Sequence, residues 1–320
     1  MIGFRRLGLP RDSGAHLLVI GAASIDTKGR ASQPVQSGTS IPGVIRVSVG
    51  GVARNVAENL VRLGESVVLL SAVGEDGSGR RILHQAKECG IDVSHVIVDP
   101  AHRTAAYLAA LDEEGHLLLS IDDMSITREV VTAGVIYRQR ALFRDAQMVV
   151  MDANLSPSVL ETIFRLAHKY ELPVCADPTT ATLAPQLCPY LSDLLLVTPN
   201  AAEAEVLCGV EVTDRESALA AAHRLVGLGV QIAIVTLGAT GLVYATSQES
   251  GHVPSIAREI VDLTGAGDAL TAGVVFGLLN DLPIAEAVRI GTSAAALTLQ
   301  SRETVRPDLS LERLYEELVI

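Results

Sequence analysis

The chain has 320 residues, of which 48% are hydrophobic, and it carries a formal net charge of −12 at pH 7. It contains no apolar run near the ~18 residues of a membrane-spanning helix, and no cluster of basic residues that would suit nucleic acid or an anionic membrane. These features argue against both kinds of partner. They predict a globular cytoplasmic protein that is long enough to bury one large core.

The N-terminal segment and the cysteines show no targeting or metal-binding pattern. Residues 1–13 are basic but lack the apolar segment of a signal peptide, so we expect a disordered tail. The four cysteines, Cys89, Cys175, Cys188 and Cys208, have no zinc-ligand spacing and stand among apolar residues. We therefore expect a buried thiol at each of these positions.

In chain order, the first predicted element is a buried strand over residues 17–21. Asp26 follows it, where the carboxyl ends of parallel strands bind ligands, although an aspartate there also commonly caps a turn. Gly50 and Gly51 then open an amphipathic helix, and their lack of side chains lets the backbone come close to a ligand. Asn55, one turn into that helix, can donate to and accept from hydroxyl groups.

Two segments stand outside any repeat of strands and helices. Residues 27–49 are rich in Gly, Ser and Pro before they alternate, and residues 103–121 are typical of a β-hairpin. The rest of the chain alternates between strands and helices, which predicts a parallel sheet covered by helices on both faces. The predicted strands cover residues 66–72, 147–152, 173–177, 193–198 and 231–237, and the predicted helices cover 79–89, 127–144, 156–170, 200–208, 215–228, 266–279, 284–299 and a last segment from Ser310. No linker interrupts this pattern, so residues 14–320 are predicted to form one domain.

Residues 262–280 give the clearest chemical signal. Gly265, Ala266 and Gly267 precede Asp268, and an apolar helix follows. The free N–H groups and the dipole at a helix N-terminus suit a phosphate, and a carboxylate at the same place can take a proton from an attacking hydroxyl. The pattern therefore indicates phosphoryl transfer, although a glycine-rich turn before a helix is often only a turn.

Two segments resemble the signature motifs of a known family. GGVARNVAENLVRLG (50–64) and DLTGAGD (262–268) are similar to the two signatures of the PfkB, or ribokinase-like, carbohydrate kinases, and the resemblance covers about residues 16–318. It implies a three-layer α/β/α fold with a mostly parallel central sheet, and it implies ATP and Mg²⁺ as cofactors. It also implies that segments 27–49 and 103–121 form a small β-sheet lid, whose exposed face is expected to join two copies in a homodimer.

The resemblance assigns a role to each candidate residue. It implies that Asp268 is the general base and that the N–H groups of Gly265, Ala266 and Gly267 bind the transferred phosphoryl group. The residues implied to bind the acceptor are Asp26, Gly50, Gly51, Asn55 and Asn154. Those implied to bind the nucleotide are Asn200, Thr236, Gly238, Gly241 and Thr292. Those implied to bind cations are Glu203 and Asp177 for Mg²⁺, through water, and Asp262 and Thr264 for K⁺.

Several of these residues also have an ordinary structural interpretation. Asn154 could cap the helix that begins near Ser156. Asn200 and Glu203, three residues apart at a helix start, also fit a capping box. The segment TLGATG (236–241) could be a simple hairpin turn.

Within the family, the segments that look closest to pseudouridine kinases are GGVARNVAENL, SIDDMSI (120–126), DANLS, TPNAAEAEVL and TGAGDALTAG. This resemblance implies phosphorylation of the 5′-hydroxyl of pseudouridine, with Asp123 and Ser125 at the uracil edge unless that turn is only solvated. Free ribose, another sugar or another nucleoside are alternative acceptors, and a non-catalytic sugar or nucleotide sensor is the alternative outside enzymes. A dinucleotide oxidoreductase is disfavoured because GAASID, and not G-x-G-x-x-G, follows the first strand. Walker A and protein-kinase motifs do not occur either.

Overall fold

The computed structural model describes residues 15–256 and 260–318, so the tail predicted over residues 1–13 lies outside the described residues. The strands are β1 (His16–Ile20), β2 (Ser24–Ala31), β3 (Gly43–Gly50), β4 (Val67–Leu70), β5 (Ala72–Gly74), β6 (Ile97–Asp99), β7 (Ala105–Leu111), β8 (Leu117–Asp123), β9 (Ala146–Asp152), β10 (Val174–Asp177), β11 (Leu196–Val197), β12 (Ile232–Thr236), β13 (Leu242–Ala245) and β14 (Ser250–Val253). The helices are α1 (Val52–Arg62), α2 (Gly77–Glu88), α3 (Ser125–Val130), α4 (Ala133–Arg138), α5 (Arg140–Asp145), α6 (Pro157–Lys169), α7 (Ala201–Cys208), α8 (Arg215–Gly227), α9 (Ala266–Leu279), α10 (Ile284–Leu299) and α11 (Leu311–Glu317).

The central sheet has the strand order β14-β13-β12-β11-β10-β9-β1-β4. Its strands from β12 to β4 are parallel, while β13 and β14 are antiparallel at one edge. Side chains of β1 alternate between two cores: Leu18 and Ile20 pack on the side that includes α6 and α8, and Leu17 and Val19 pack on the side that includes α1, α9 and α10. The predicted three-layer α/β/α fold with a mostly parallel sheet is confirmed.

A second, smaller sheet has the strand order β3-β2-β7-β8, and we call it the lid sheet. It contains the predicted lid segments. Its first strand in chain order is β2, which the sequence pattern does not predict. Asp26 was expected in a turn after the first strand, yet it lies within β2. The expectation was wrong because SIDTKGRA has few apolar residues, so its period of two is weak.

Three other sequence predictions differ from the structure. The helix predicted over 127–144 is divided into α3, α4 and α5, because Thr132 leaves the helical conformation and its side chain caps α4. The strand predicted over 193–198 shortens to β11, since residues 184–193 form a 3₁₀ helix. The cysteine prediction is correct for Cys175 but wrong for Cys188, whose side chain is exposed on that 3₁₀ helix, while Cys89 and Cys208 are half-buried.

Helix α9 is apolar on all sides because it is enclosed by the sheet, α1 and α10. Small residues allow this close packing. A Cβ atom at Gly273 would lie 2.7 Å from the Cα atom of Gly291 in α10, and one at Gly277 would lie 2.6 Å from the Cβ atom of Ala287. The start of α9 is therefore held firmly by the interior of the protein. Within residues 15–256 and 260–318, no helix is both long and apolar enough to cross a membrane.

Candidate active site

Asp268 lies in the first turn of α9, and its side chain is buried. Its Oδ2 atom accepts a hydrogen bond of 2.7 Å from Nδ2 of Asn55 in α1. Burial raises the pKa of Asp268 to about 7, an effect that Asn55 opposes and that Asp152 and Asp26 increase. A carboxylate that titrates near neutral pH suits a general base.

The turn before Asp268 needs its glycines. Gly265 has φ 84°, and a Cβ atom there would lie 1.8 Å from the carbonyl oxygen of Thr304, so only glycine fits. Gly267 is different, because a Cβ atom there would meet no described heavy atom within 4 Å. Its backbone borders open space, and no described side chain caps α9. The N–H groups of Ala266 and Gly267 can therefore serve an anionic ligand.

The predicted acceptor residues Asp26, Gly50, Gly51 and Asn55 come together at the base of the lid sheet. A Cβ atom at Gly50 would lie 2.3 Å from the carboxylate oxygens of Asp26, so this glycine makes room for that carboxylate. Ser24 donates to Oδ1 of Asp26 at 2.9 Å, and burial raises the pKa of Asp26. Gly51 has φ 93° and packs against the backbone of residues 22–23, where no side chain would fit. Asn55 links this group directly to Asp268.

Asp152 is a buried site residue that the sequence analysis did not identify. It ends β9, and its carboxylate accepts hydrogen bonds from the backbone N–H groups of Ala22 at 2.8 Å, Ala53 at 3.0 Å and Asn154 at 2.9 Å. It therefore joins the end of β1, the start of α1 and the segment after β9. The signal was present in the sequence, since Asp152 ends its strand as Asp177 does, and the two residues are in register.

Asn154 is buried in the segment after β9. It does not cap the next helix, because Ser156 is the N-cap residue of α6. The interpretation of Asn154 as a helix cap is therefore wrong. Its side chain remains a candidate for contact with the acceptor.

Asp177 ends β10 and lies near other acids of the site. Burial raises its pKa well above the ordinary value, and the nearby charges of Asp268 and Glu203 raise it further. Like charges gathered in a buried place favour a bound cation between them. The described residues nevertheless contain no group of three or more histidine, cysteine or acidic side chains that could hold a metal ion by themselves. A divalent ion here would keep several water ligands, as Mg²⁺ commonly does.

Asn200 and Glu203 form a complete capping box at the start of α7. The side chain of Asn200 accepts from the N–H group of Glu203 at 3.0 Å, and the carboxylate of Glu203 accepts from the N–H group of Asn200 at 2.9 Å and from its Nδ2 atom at 2.7 Å. The interpretation of Asn200 and Glu203 as a capping box is therefore confirmed. It leaves other lone pairs on the Glu203 oxygens for a hydrated cation.

Four of the predicted nucleotide residues lie at or just after the carboxyl ends of β11 and β12: Asn200, Thr236, Gly238 and Gly241. Thr236 ends β12 beside Asn200. Residues 238–240 form a 3₁₀ turn between the antiparallel strands β12 and β13, so the interpretation of this segment as a hairpin turn is confirmed. Gly238, with φ 56°, borders open space within the described part of the chain, whereas Gly241 packs against the Val253 carbonyl oxygen. Thr292 lies in α10, where its hydroxyl donates to the Val288 carbonyl oxygen at 2.9 Å.

The predicted monovalent-cation residues contact a lysine. Nζ of Lys28, on β2, lies 2.8 and 2.7 Å from the carboxylate oxygens of Asp262 and also donates to the hydroxyl of Thr264. Burial raises the pKa of Asp262, but the bonds from Lys28 and from the Thr264 N–H group outweigh it and lower the pKa overall. An ammonium group therefore stands at the oxygens that the sequence assigned to K⁺.

The register of the lid sheet shows which residues share the face of Asp26. Tyr107 of β7 and Asp122 of β8 are in register with Asp26, so their side chains lie on the same face. Asp123 is in register with Ile25 and faces the other way, and its Oδ1 atom accepts from the Ser125 N–H group at 3.1 Å. The expectation that Asp123 faces a bound base is therefore wrong.

Comparisons with known proteins show the family of the chain. The sequence profile of the pfkB family carbohydrate kinases matches residues 15–310. The chain is 33% identical to the pseudouridine kinase of Escherichia coli (strain K12) over 297 residues, which cover 92% of this chain and 94% of that protein. It is 32% identical to the guanosine-inosine kinase of Exiguobacterium acetylicum over 295 residues, which cover 90% and 95% of the two chains.

Solved structures show the same fold. A carbohydrate kinase from Agrobacterium tumefaciens gives a TM-score of 0.81 at 30% identity, with 95% of this chain and 97% of that chain covered. The structure of Arabidopsis thaliana ribokinase complexed with ribose and ATP gives a TM-score of 0.85 at 22% identity, with 96% and 99% covered. The family profile spans nearly the whole chain, and the residues that the family signatures supply meet at one buried acid. The chain belongs to the pfkB family of carbohydrate kinases.

Proposed function

We propose that this protein transfers the γ-phosphoryl group of ATP to the 5′-hydroxyl of pseudouridine, in the cytoplasm, by direct in-line displacement. The observation that supports this most is the buried carboxylate of Asp268, which Asn55 holds in the first turn of α9 beside the open backbone of Gly267. A base and a helix N-terminus within one turn are what phosphoryl transfer to an alcohol requires. Family membership supports the coarser part of the proposal, a kinase with a sugar or nucleoside acceptor.

In the proposed reaction, Asp268 accepts the proton of the 5′-hydroxyl while that oxygen forms a bond to the γ-phosphorus. The bond from the γ-phosphorus to the bridging oxygen breaks, and ADP leaves with the electron pair. The backbone N–H groups of residues 265–268 stabilise the charge on the phosphoryl oxygens. Asp26 and Asn55 orient the acceptor, and positioning of this kind supplies much of the rate in phosphoryl transfer.

Magnesium suits the donor set of this site. When bound, it would neutralise charge on the phosphates. Asp177 and Glu203 offer the carboxylate oxygens that Mg²⁺ prefers. Burial raises the pKa of Asp177 and the charges of Asp268 and Glu203 raise it further, and a bound cation would relieve this repulsion. Potassium suits its predicted residues less well, because the ammonium of Lys28 already contacts Asp262 and Thr264. No step of the proposed reaction depends on K⁺.

The choice of pseudouridine rests on similarity to the Escherichia coli pseudouridine kinase over most of both chains. The inner face of the lid sheet offers suitable groups for a base, since Tyr107 and Asp122 lie in register with Asp26. A tyrosine ring can stack on a base, and a carboxylate can accept from the N–H groups of uracil. These residues replace Asp123 and Ser125 in our proposal.

A second candidate is a kinase for another nucleoside. The similarity to guanosine-inosine kinase is nearly as high as that to pseudouridine kinase and covers nearly as much of the chain. A purine would use the same sugar contacts at Asp26 and Asn55 and differ only in its contacts to the lid sheet. Free ribose, which lacks a base altogether, is the simplest acceptor of this series.

The test is ATP-dependent phosphorylation across pseudouridine, uridine, inosine, guanosine, adenosine, ribose and fructose. We expect the highest kcat/KM for pseudouridine, with phosphate on its 5′-oxygen by ³¹P NMR. Turnover of a purine nucleoside or of ribose with no turnover of pseudouridine would contradict pseudouridine as the substrate, but it would still support kinase activity. Absence of phosphorylation of every acceptor, with sugar or nucleotide binding retained, would favour the sensor instead.

We also propose that two copies associate through the outer face of the lid sheet. This face presents Ile45, Ile121 and Leu119, whose exposed fractions are 73%, 62% and 50%. Contiguous exposed apolar side chains of this kind commonly mark an interaction surface. Because β-strand side chains alternate, the same strands can cover an acceptor with one face and meet a second copy with the other. Light scattering of the purified protein tests this, with a dimer as the expected result and a monomer as the contradiction.

A further inference from the structure

The buried side of α1 has a row of charged side chains that the proposed chemistry does not use. Arg54, Glu58 and Arg62 are one helical turn apart, so they line one face of the helix. Arg54 and Glu58 are each only 1% exposed, which charged residues tolerate only when they are paired. Arg54 forms an ion pair with Glu58, and Oε1 of Glu58 also accepts from Nε and Nη2 of Arg62 at 2.9 and 2.6 Å.

The inner end of this row contacts a residue of the candidate site. Nη1 of Arg54 donates to Oδ1 of Asn55 at 3.0 Å and to the carbonyl oxygen of Val49, at the base of the lid sheet, at 3.3 Å. Nδ2 of Asn55 in turn donates to Oδ2 of Asp268 at 2.7 Å. A continuous chain of hydrogen bonds therefore runs from Glu58 through Arg54 and Asn55 to the proposed base.

The chemistry of the two neighbours allows only one orientation of the Asn55 amide. A guanidinium group has donors and no acceptor, while an ionised carboxylate has acceptors and no donor. With its oxygen toward Arg54 and its NH₂ group toward Asp268, the amide satisfies both. Rotated by half a turn, it would set donor against donor at Arg54 and acceptor against acceptor at Asp268, although its shape would hardly change.

We infer that Arg54 is a positioning residue for phosphoryl transfer, because it fixes the Asn55 amide with the NH₂ group toward Asp268, and that Glu58 holds Arg54 in place. The inference rests on the proposed function. Among the described residues Arg54 donates no hydrogen bond to Asp268; its charge lowers the pKa of Asp268 slightly, and its hydrogen-bonded link to that carboxylate is Asn55. Loss of Arg54 would leave the amide free to rotate at the point where the acceptor hydroxyl meets the base.

A purely structural role is the competing explanation, since removing one partner of a buried ion pair destabilises many proteins. A double-mutant cycle separates the two. If Arg54 acts through Asn55, its replacement has no further effect once the Asn55 amide is gone. If Arg54 only supports the fold, the two losses multiply.

The experiment compares wild type, Arg54→Met, Asn55→Ala and the double variant, as full-length proteins with ATP and the best acceptor of the panel. In Arg54→Met, Glu58 keeps Arg62 as its partner. We expect Arg54→Met to lower kcat/KM for the acceptor roughly 10–100-fold, as the loss of a charge-assisted hydrogen bond does, with the KM for ATP unchanged. The double variant should match Asn55→Ala within about twofold.

Arg62→Met is the matched control, because it removes the outer cation and leaves the bonds of Arg54 intact; its kcat/KM should stay within about twofold of wild type. Wild-type kcat/KM in Arg54→Met, or multiplied losses in the double variant, would overturn the inference. If Arg54→Met does not fold by circular dichroism, Arg54→Met/Glu58→Met removes the pair as a unit and is judged by the same criteria. A wild-type protein without kinase activity would overturn the proposed function, and the inference with it.

Discussion

The lid sheet and the central sheet differ in how far their side chains are buried. Leu17 to Ile20 of the central sheet are enclosed on both faces. The lid sheet presents Asp26 and Lys28 on one face and leaves Ile45 and Ile121 exposed on the other. The enclosed core fixes the position of Asp268 and of the turn before it, and we propose that the less enclosed sheet supplies the groups that contact the acceptor.

The largest effect should come from the enclosed region. Asp268→Asn removes the proposed base and should lower kcat by about 10²–10⁴-fold, the usual contribution of a general base, in a steady-state assay. Acceptor and ATP dissociation constants, measured by calorimetry, should stay close to wild type because the amide keeps the shape of the carboxyl group. Wild-type turnover would show that Asp268 is not the base.

The same substitution should stabilise the fold. The pKa of Asp268 in the folded state, about 7, lies above its ordinary value of 3.8, so ionisation destabilises the folded protein as the pH rises toward 7. Asp268→Asn should therefore increase the free energy of unfolding at pH 8, on the order of 4 kcal/mol, and by much less at pH 4. Urea titrations at both pH values measure this. An equal change at the two pH values would mean that the charge is not the cause.

A smaller loss is expected at the acceptor face of the lid sheet. Asp26→Ala removes a buried carboxylate that would bind the acceptor, and it should raise the KM for the acceptor roughly 10–100-fold, the cost of losing hydrogen bonds to a charged group. The KM for ATP should hardly change. Ser48 pairs with Asp26 across β3, and Ser48→Ala is the matched variant of the neighbouring strand, with a smaller expected loss. An equal rise in both KM values for Asp26→Ala would contradict a role confined to the acceptor.

The contacts of Lys28 with the segment before α9 should contribute less to activity than Asp26 does. Lys28→Met breaks the contacts from the lid sheet to Asp262 and Thr264, and because this pair is partly exposed we expect a loss of only about 3–10-fold in kcat/KM. Lys28→Arg should retain most of the activity. If Lys28 is what keeps K⁺ away, K⁺ should activate Lys28→Met more than wild type. Equal activation of both proteins would show that Lys28 does not compete with the ion.

The smallest effect on catalysis should come from the outer face of the lid sheet. Ile45→Glu places a charge on the proposed contact between copies and should convert the dimer to a monomer in light scattering. The kcat of the monomer should stay within about threefold of wild type, since no residue of the outer face meets Asp268. A dimer that persists in Ile45→Glu would place the contact elsewhere.

The sequence predicted the enclosed region far better than the lid sheet. The bounds of α9 and α10 were predicted to the residue, because each helix is long and apolar and is preceded by Gly265 or Pro283. Strand β2 was missed because its residues alternate weakly. The division of 127–144 into short helices was missed because its apolar pattern continues across Thr132.

The sequence predicted which residues form the candidate site, but it did not predict the hydrogen bonds between them. The sequence indicated Asp26, Asn55 and Asp268 as site residues, but it could not show that Asn55 bonds to Asp268 or that Lys28 reaches Asp262. These bonds join residues more than 200 positions apart, and only the packing of the folded chain brings them together. Arg54 was not noticed because an arginine in an amphipathic helix ordinarily faces solvent.

The most direct test of the account is the pH dependence of kcat/KM for the acceptor in wild type and Asp268→Asn, because kcat/KM reports the pKa values of the free enzyme. If Asp268 is the base, wild-type kcat/KM falls tenfold per pH unit below about 7, where its carboxylate becomes protonated, and rises to a plateau above. The residual activity of Asp268→Asn should lack this limb, whereas a limb caused by titration of ATP would appear in both proteins. The same acidic limb in both, or a flat wild-type profile between pH 5.5 and 8, would contradict the assignment of Asp268 as the base.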